Sequence, residues 1–318
     1  YEWRRASTDI IINNESQFYL DVLGFDAALR DTWSPFELLK SGDDGYLVIK
    51  AAKKNVLDDA SSVPVVNGSA LAGQDYLSGV LTTFGKYSLS PSSNGKVVIE
   101  IRARMPRGQG VFPAAWLYNE SFFNVNPEID IFEYIGQSPD PDEPGSWLRP
   151  VDSSCGQPCI DAYRENYDTY HTQYHNYYKS EKNKLKGLGA TSLDNDGNNT
   201  NAVYTNPDAG TWWRGATWAG CAIDFSEKFH IYTIEWSADA LVWYVDDIEV
   251  LRLDETADSG GNLPRVNFVP IDTRSMYLTL NFALGSLNSY IGSPDDYTEM
   301  SMDKGELQYI IDYIKVWQ

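Results

Sequence analysis

Short apolar or alternating runs, each closed by Gly, Pro, Asn or Asp, recur from one end of this 318-residue chain to the other. They include Tyr46–Ala51, Ser78–Thr83, Val97–Arg104, Ile129–Ile135, His230–Trp236, Leu241–Val245, Met276–Phe282 and Ile310–Trp317. Alternation with a period of two places one phase of side chains in a core and the other outside, as a half-buried strand requires. So many strands with turn residues between them point to an all-β sandwich. Only Ser16–Leu29 and Glu165–Lys186 offer a helical reading, and the second reads better as a strand followed by a polar loop. There is no internal repeat or low-complexity linker, so residues 1–318 read as one domain, and a 42% hydrophobic content suffices for one large core. Two stretches read as insertions, 137–168 and 180–227.

Residues 128–133, Glu-Ile-Asp-Ile-Phe-Glu, set three carboxylates among large apolar residues on one of these strands. Alternation sends Glu128 and Asp130 to one face and the isoleucines to the other. Continued strictly, it would expose Phe132 and bury Glu133. A one-residue β-bulge near Ile131–Phe132 removes the conflict and returns Glu133 to the acidic face. Like charges this close do not all ionise easily, so the row predicts a raised pKa for at least one member. Glycosidic cleavage requires such a pair: one carboxylate to attack the anomeric carbon, one protonated carboxyl for the leaving oxygen, about 5–5.5 Å apart in retaining enzymes. A solvated sheet face and a calcium cage are the competing readings.

Composition narrows the partner. The chain has 45 acidic and 25 basic residues, a net charge of −20, which disfavours nucleic acid and strongly sulfated polymers. A neutral polysaccharide is the easier ligand, and the 21 Tyr and 10 Trp provide rings for sugar faces as well as for the core. No apolar run is long enough for a membrane span. The start, Tyr-Glu-Trp-Arg-Arg, has no signal-peptide core, so the expectation is a cytosolic or already processed chain. Cys155 and Cys159 read as a loop staple or as two buried thiols, with Cys221 apart. Asn14, Asn67, Asn119 and Asn198 head glycosylation sequons, which act as acceptors only in a eukaryotic secretory route. Asp194-Asn-Asp-Gly197 reads as a turn. Trp212, Trp213 and Trp218 read as loop packing or as sugar-stacking rings.

Around the acidic row, further segments fall in a familiar order. These are Asn14-Glu-Ser-Gln-Phe-Tyr, Ser78-Gly-Val-Leu-Thr-Thr, Glu100-Ile-Arg-Ala-Arg-Met-Pro and Phe112-Pro-Ala-Ala-Trp116. Phe229-His-Ile-Tyr-Thr-Ile-Glu-Trp236, Tyr244-Val-Asp246, Asn281-Phe-Ala-Leu-Gly and Asp312-Tyr-Ile-Lys-Val-Trp-Gln follow. Together they resemble glycoside hydrolase family 16 over nearly the whole chain, in its laminarinase-like form with the bulged Glu-x-Asp-x-x-Glu motif. The resemblance implies a concanavalin A-like jelly-roll sandwich of two antiparallel sheets with a concave substrate cleft. It implies Glu128 as nucleophile, Glu133 as general acid/base and Asp130 between them. By the same resemblance Asn14, Arg102 and Trp116 line the glycone side of the cleft, and His175, from His171-Thr-Gln-Tyr-His175, faces the carboxylates. Catalysis would need no cofactor, and a structural calcium would rest on Asp312 and the backbone of Gly45. The function implied is a secreted, monomeric, retaining endo-β-glucanase acting on β-1,3-linked glucan. Alternatives are a glucan transglycosylase of the β-1,6-glucan assembly type, an agarase- or carrageenase-type hydrolase, and a non-catalytic glucan-binding lectin. Pro127 and Phe112 depart from the family's common Gly and Trp at those positions.

Overall fold

The structure, a computed structural model, describes residues 15–19, 33–42, 44–53, 56, 75–91, 95–118, 125–136, 169–178, 212–214, 225–254, 273–285, 294 and 305–318. Asn14, the three cysteines, the sequons, the Asp194–Gly197 turn and the first insertion lie outside these residues. The first part of the described chain gives β1 (Gln17–Tyr19), β2 (Phe36–Ser41), β3 (Asp44–Lys53), β4 (Tyr76–Ser78), β5 (Val80–Thr82), β6 (Val97–Arg104) and β7 (Val111–Tyr118). Next come β8 (Val125–Ile135), β9 (Thr169–Tyr178), β10 (Trp212–Arg214), β11 (His230–Trp236) and β12 (Ala240–Val245). The last are β13 (Ile248–Asp254), β14 (Tyr277–Leu284) and β15 (Glu306–Trp317). Among the described residues no helix is long and apolar enough to cross a membrane.

Two sheets result. A nine-stranded sheet runs β1-β4-β3-β15-β6-β11-β12-β13, with β2 on β3, and a six-stranded sheet runs β10-β9-β8-β7-β14-β5. The described pairings are antiparallel except β1 with β4, which is parallel. The chain crosses from one sheet to the other at Gly79, between β4 and β5.

Alternation in the sequence becomes alternation in burial. β6 and β11 bury every second residue without a break. Val97, Ile99, Ile101, Tyr232, Ile234 and Trp236 of the large sheet meet Ala115, Leu117, Ile129, Ile131, Phe132, Leu280 and Phe282 of the small one. Removing an aliphatic or aromatic side chain of this size from water contributes about 1.5–3 kcal/mol each, so this seam is the main source of stability. The β12–β13 hairpin turns on Asp246 and Asp247, with φ of 49° and 66°. Two left-handed residues make the tight turn whose twist matches its strands, and Asp tolerates that region. Trp212 and Trp213, read from sequence as loop residues, belong instead to β10, paired with His171 and Tyr170 of β9.

Candidate active site

The acidic run occupies β8, and the bulge lies within it. Glu128 pairs with Tyr118 of β7 and His175 of β9, and Asp130 with Trp116 and Gln173. Glu133 then pairs with Ala114 and His171, so three steps along β8 match two along β9. Ile131 is the extra residue. Beside it Phe132 is fully buried, with its ring centroid 4.5 Å from that of Tyr232 in the opposite sheet. The conflict seen in the sequence is resolved as expected: Phe132 enters the core, and the backbone kink returns Glu133 to the phase of Glu128 and Asp130.

The row therefore stands on the face of the small sheet that points away from the core. Asp130 is buried at 2% exposure, while Glu128 and Glu133 are partly exposed. From behind, the indole N–H of Trp243 on β12 donates to the Asp130 carbonyl at 2.8 Å. The large sheet thus holds the main chain at the bulge through the core.

On the same face, Trp116 and Tyr118 of β7 set their rings 5.3 Å apart at 54°. The Trp116 N–H donates to Asn281 Oδ1 of β14 at 2.9 Å. Ala114, a small residue, stands opposite Glu133 in the ladder. Across the β8–β9 ladder the backbone partner of Glu128 is His175. Sequence reading missed Asn281 and Thr279 as members of this face. The signal was available, since both are polar on one phase of an otherwise apolar run.

Arg102 requires a correction. It lies on β6 of the large sheet, on the phase opposite to Ile99, Ile101 and Ala103, and so faces away from the core on the far side from the acids. There its guanidinium donates to Asp312 Oδ2 and sits 4.7 Å from the centroid of Phe229. It does not line the cleft.

That pair also bears on calcium. Asp312 is the bulged residue of β15, and Gly45 lies on the adjoining β3. Calcium takes six to eight oxygens, and this location provides one carboxylate already neutralised by Arg102. Among the described residues no group of three His, Cys, Asp or Glu could hold a metal ion. The described residues thus do not make a calcium cage by themselves.

A sandwich with a bulged strand that carries a Glu-Asp-Glu row on its open face has the paired carboxylates that glycosidic cleavage uses. The sequence profile of "Glycosyl hydrolases family 16" matches residues 192–284. Over 309 residues the chain is 25% identical to a glucan endo-1,3-beta-glucosidase of Cryptopygus antarcticus, covering 96% of this chain and 82% of that protein. It is 23% identical to a beta-glucanase of Rhodothermus marinus over 77% of its own length, and spans 64% of that relative. The laminarinase catalytic domain of Thermotoga maritima has the same fold, with a TM-score of 0.55 and 23% identity over 100% of this chain and 88% of that one. Residues 192–284 are thus similar to the family 16 glycosyl hydrolases, and the fold is that of a laminarinase catalytic domain.

Proposed function

We propose that the chain is a retaining endo-β-glucanase that cleaves β-1,3-linked glucan of the laminarin type. The observation that carries this reading is the single-face register of Glu128, Asp130 and Glu133 across the bulge. The similarity to an endo-1,3-beta-glucosidase and a beta-glucanase supports the substrate class.

The reaction follows from the row. Glu128 Oε attacks the anomeric carbon as Glu133 gives its proton to the departing glycosidic oxygen, so one C–O bond forms as another breaks. The product is a glycosyl ester on Glu128. Glu133, now ionised, takes a proton from water, whose oxygen attacks the same carbon and releases Glu128. Two inversions retain the configuration. Asp130, buried between the glutamates, orients the nucleophile. Trp116 and Tyr118 offer ring faces to the sugar beside them. Both steps are written with the two glutamates, the sugar and water alone. The protein acts as a secreted monomer on a neutral polymer, a ligand that suits a surface of strong negative charge.

The test is reducing-end release from laminarin by the parent and by Glu128→Gln, with the anomer of the first product followed by NMR. The reading expects release by the parent alone, with the β-anomer first. Release of the α-anomer would overturn the retaining mechanism. Equal release by both proteins would remove Glu128 as nucleophile. Silence from both would remove laminarin as substrate.

A further inference from the structure

Glu15 is buried at 5% exposure, at the start of the segment that forms β1. It ends a chain of hydrogen bonds that all point one way. The Trp116 indole N–H donates to Asn281 Oδ1 at 2.9 Å. The Asn281 amide donates to Tyr19 Oη at 3.0 Å, and the Tyr19 hydroxyl donates to Glu15 Oε2 at 3.2 Å. Gln17 Nε2 donates to the same Glu15 oxygen at 2.5 Å, and Gln17 Oε1 accepts the Leu284 N–H at 2.6 Å. The Ser16 N–H donates to the Leu284 carbonyl at 2.7 Å, so the whole segment is fastened to the end of β14.

The direction of the chain determines what it does. An indole N–H only donates, so Asn281 must turn its oxygen to Trp116 and its amide N–H groups to Tyr19. Tyr19 must then donate onward, and Glu15 is where the proton points. Rotating the Asn281 amide would set N–H against N–H. Burial, and then the neighbouring Glu15 charge, hold the Tyr19 hydroxyl well above its ordinary pKa, so it remains a donor. In a low-dielectric interior such linked bonds reinforce one another. One carboxylate, three links away, thus selects the orientation of the Trp116 ring.

We propose that Glu15 and Tyr19 are positioning residues for the saccharide, fixing the Trp116 indole beside Asp130 as a preset face for a sugar ring bound next to the point of cleavage. This rests on the glucanase reading above. Presetting an aromatic face spares the ligand the cost of ordering it, so the network is expressed in binding. Neither residue touches the reacting atoms.

The test places Tyr19→Phe and Glu15→Gln separately in the Glu128→Gln protein. Affinity for a laminari-oligosaccharide is read by calorimetry. The Trp116 indole N–H is followed by NMR, its resonance assigned by its loss in Trp116→Phe. Tyr19→Phe removes one buried hydroxyl and should weaken binding about tenfold, with the Trp116 resonance displaced. Glu15→Gln keeps an acceptor oxygen and should weaken it only about threefold. Binding within about twofold of Glu128→Gln for both variants, with a lowered melting temperature, would make the network purely structural and overturn the proposal. If Glu128→Gln binds no oligosaccharide at all, the functional reading fails instead. The indole resonance then decides the network alone: displaced by Tyr19→Phe it upholds the link, unmoved it refutes it.

Discussion

Replacing Trp243 by Phe should damage catalysis from the opposite sheet. Trp243 is fully buried, and its N–H donates to the Asp130 carbonyl at 2.8 Å, next to the residue that the bulge expels from the ladders. Phe keeps an aromatic ring there but has no donor. A buried carbonyl that loses a partner costs about 1–3 kcal/mol. The missing ring atoms leave a partial cavity worth about 1–2 kcal/mol more. The sum, about 2–5 kcal/mol, is a large share of the roughly 5–15 kcal/mol of an ordinary domain. The chain should fold but melt earlier. The consequence for turnover is more specific. Without its tether the bulge relaxes, and Glu133 moves relative to Glu128. A displacement of about 1 Å in a reacting group costs on the order of a hundredfold. The assay is urea unfolding beside kcat on laminarin, at a temperature where both proteins are folded. A stability loss in the expected range with kcat within about twofold of the parent would show that the bulge keeps its own geometry, and the tether argument would fail.

The remaining expectations concern the frame. Arg102→Ala should leave turnover within about twofold and lower stability by about 1 kcal/mol, since its partly exposed ion pair and its contact with Phe229 are modest terms. A tenfold activity loss at unchanged melting temperature would return Arg102 to the cleft. Gly136→Ala should cost about 2–3 kcal/mol by thermal melting, because a Cβ there would lie 2.2 Å from the Gly108 carbonyl oxygen and 2.3 Å from Val111 Cγ2. An unchanged melting temperature would mean that the backbone yields easily. Burial works to raise the pKa of Asp246, but hydrogen bonds from His230 (2.6 Å) and the Ile231 N–H (2.9 Å) outweigh it and hold the carboxyl below its ordinary value of 3.8. A depressed carboxylate adds stability above its unfolded-state pKa and loses it as pH falls through the folded value. The stability gap between parent and Asp246→Asn should therefore be constant near neutrality and shrink in acid. A gap that stays level throughout the acid range would contradict this.

What the sequence made legible is local. The phase of β6 and β11 follows from which residues are apolar. The bulge follows from Phe132 and Glu133 each falling on the wrong phase, a conflict that needs no knowledge of the partner strands. What it left illegible is which sheet a strand joins. Alternation along β6 puts Arg102 on the phase opposite the core, but the resemblance places it in the cleft, on the wrong side of the molecule. The face it occupies depends on β6 lying between β15 and β11, far apart in the chain. Trp243 has the same character. Its burial follows from alternation, but its bond to Asp130 exists only because β12 packs behind β8.

Glu15 shows how this division bears on function. In the sequence it is one acid among Asn14, Ser16 and Gln17, just ahead of Phe18 and Tyr19. A buried carboxylate is costly unless hydrogen bonds replace its water. Here Gln17 and Tyr19, two and four residues on, supply donors, so the segment is equipped to bury its own charge before it meets the rest of the fold. Tyr19 has capacity left to accept the Asn281 amide, and Asn281 in turn receives Trp116. The polar residues of the segment are the ones that permit its burial, and the charge they carry inside is placed where it can orient a ring beside the acidic row.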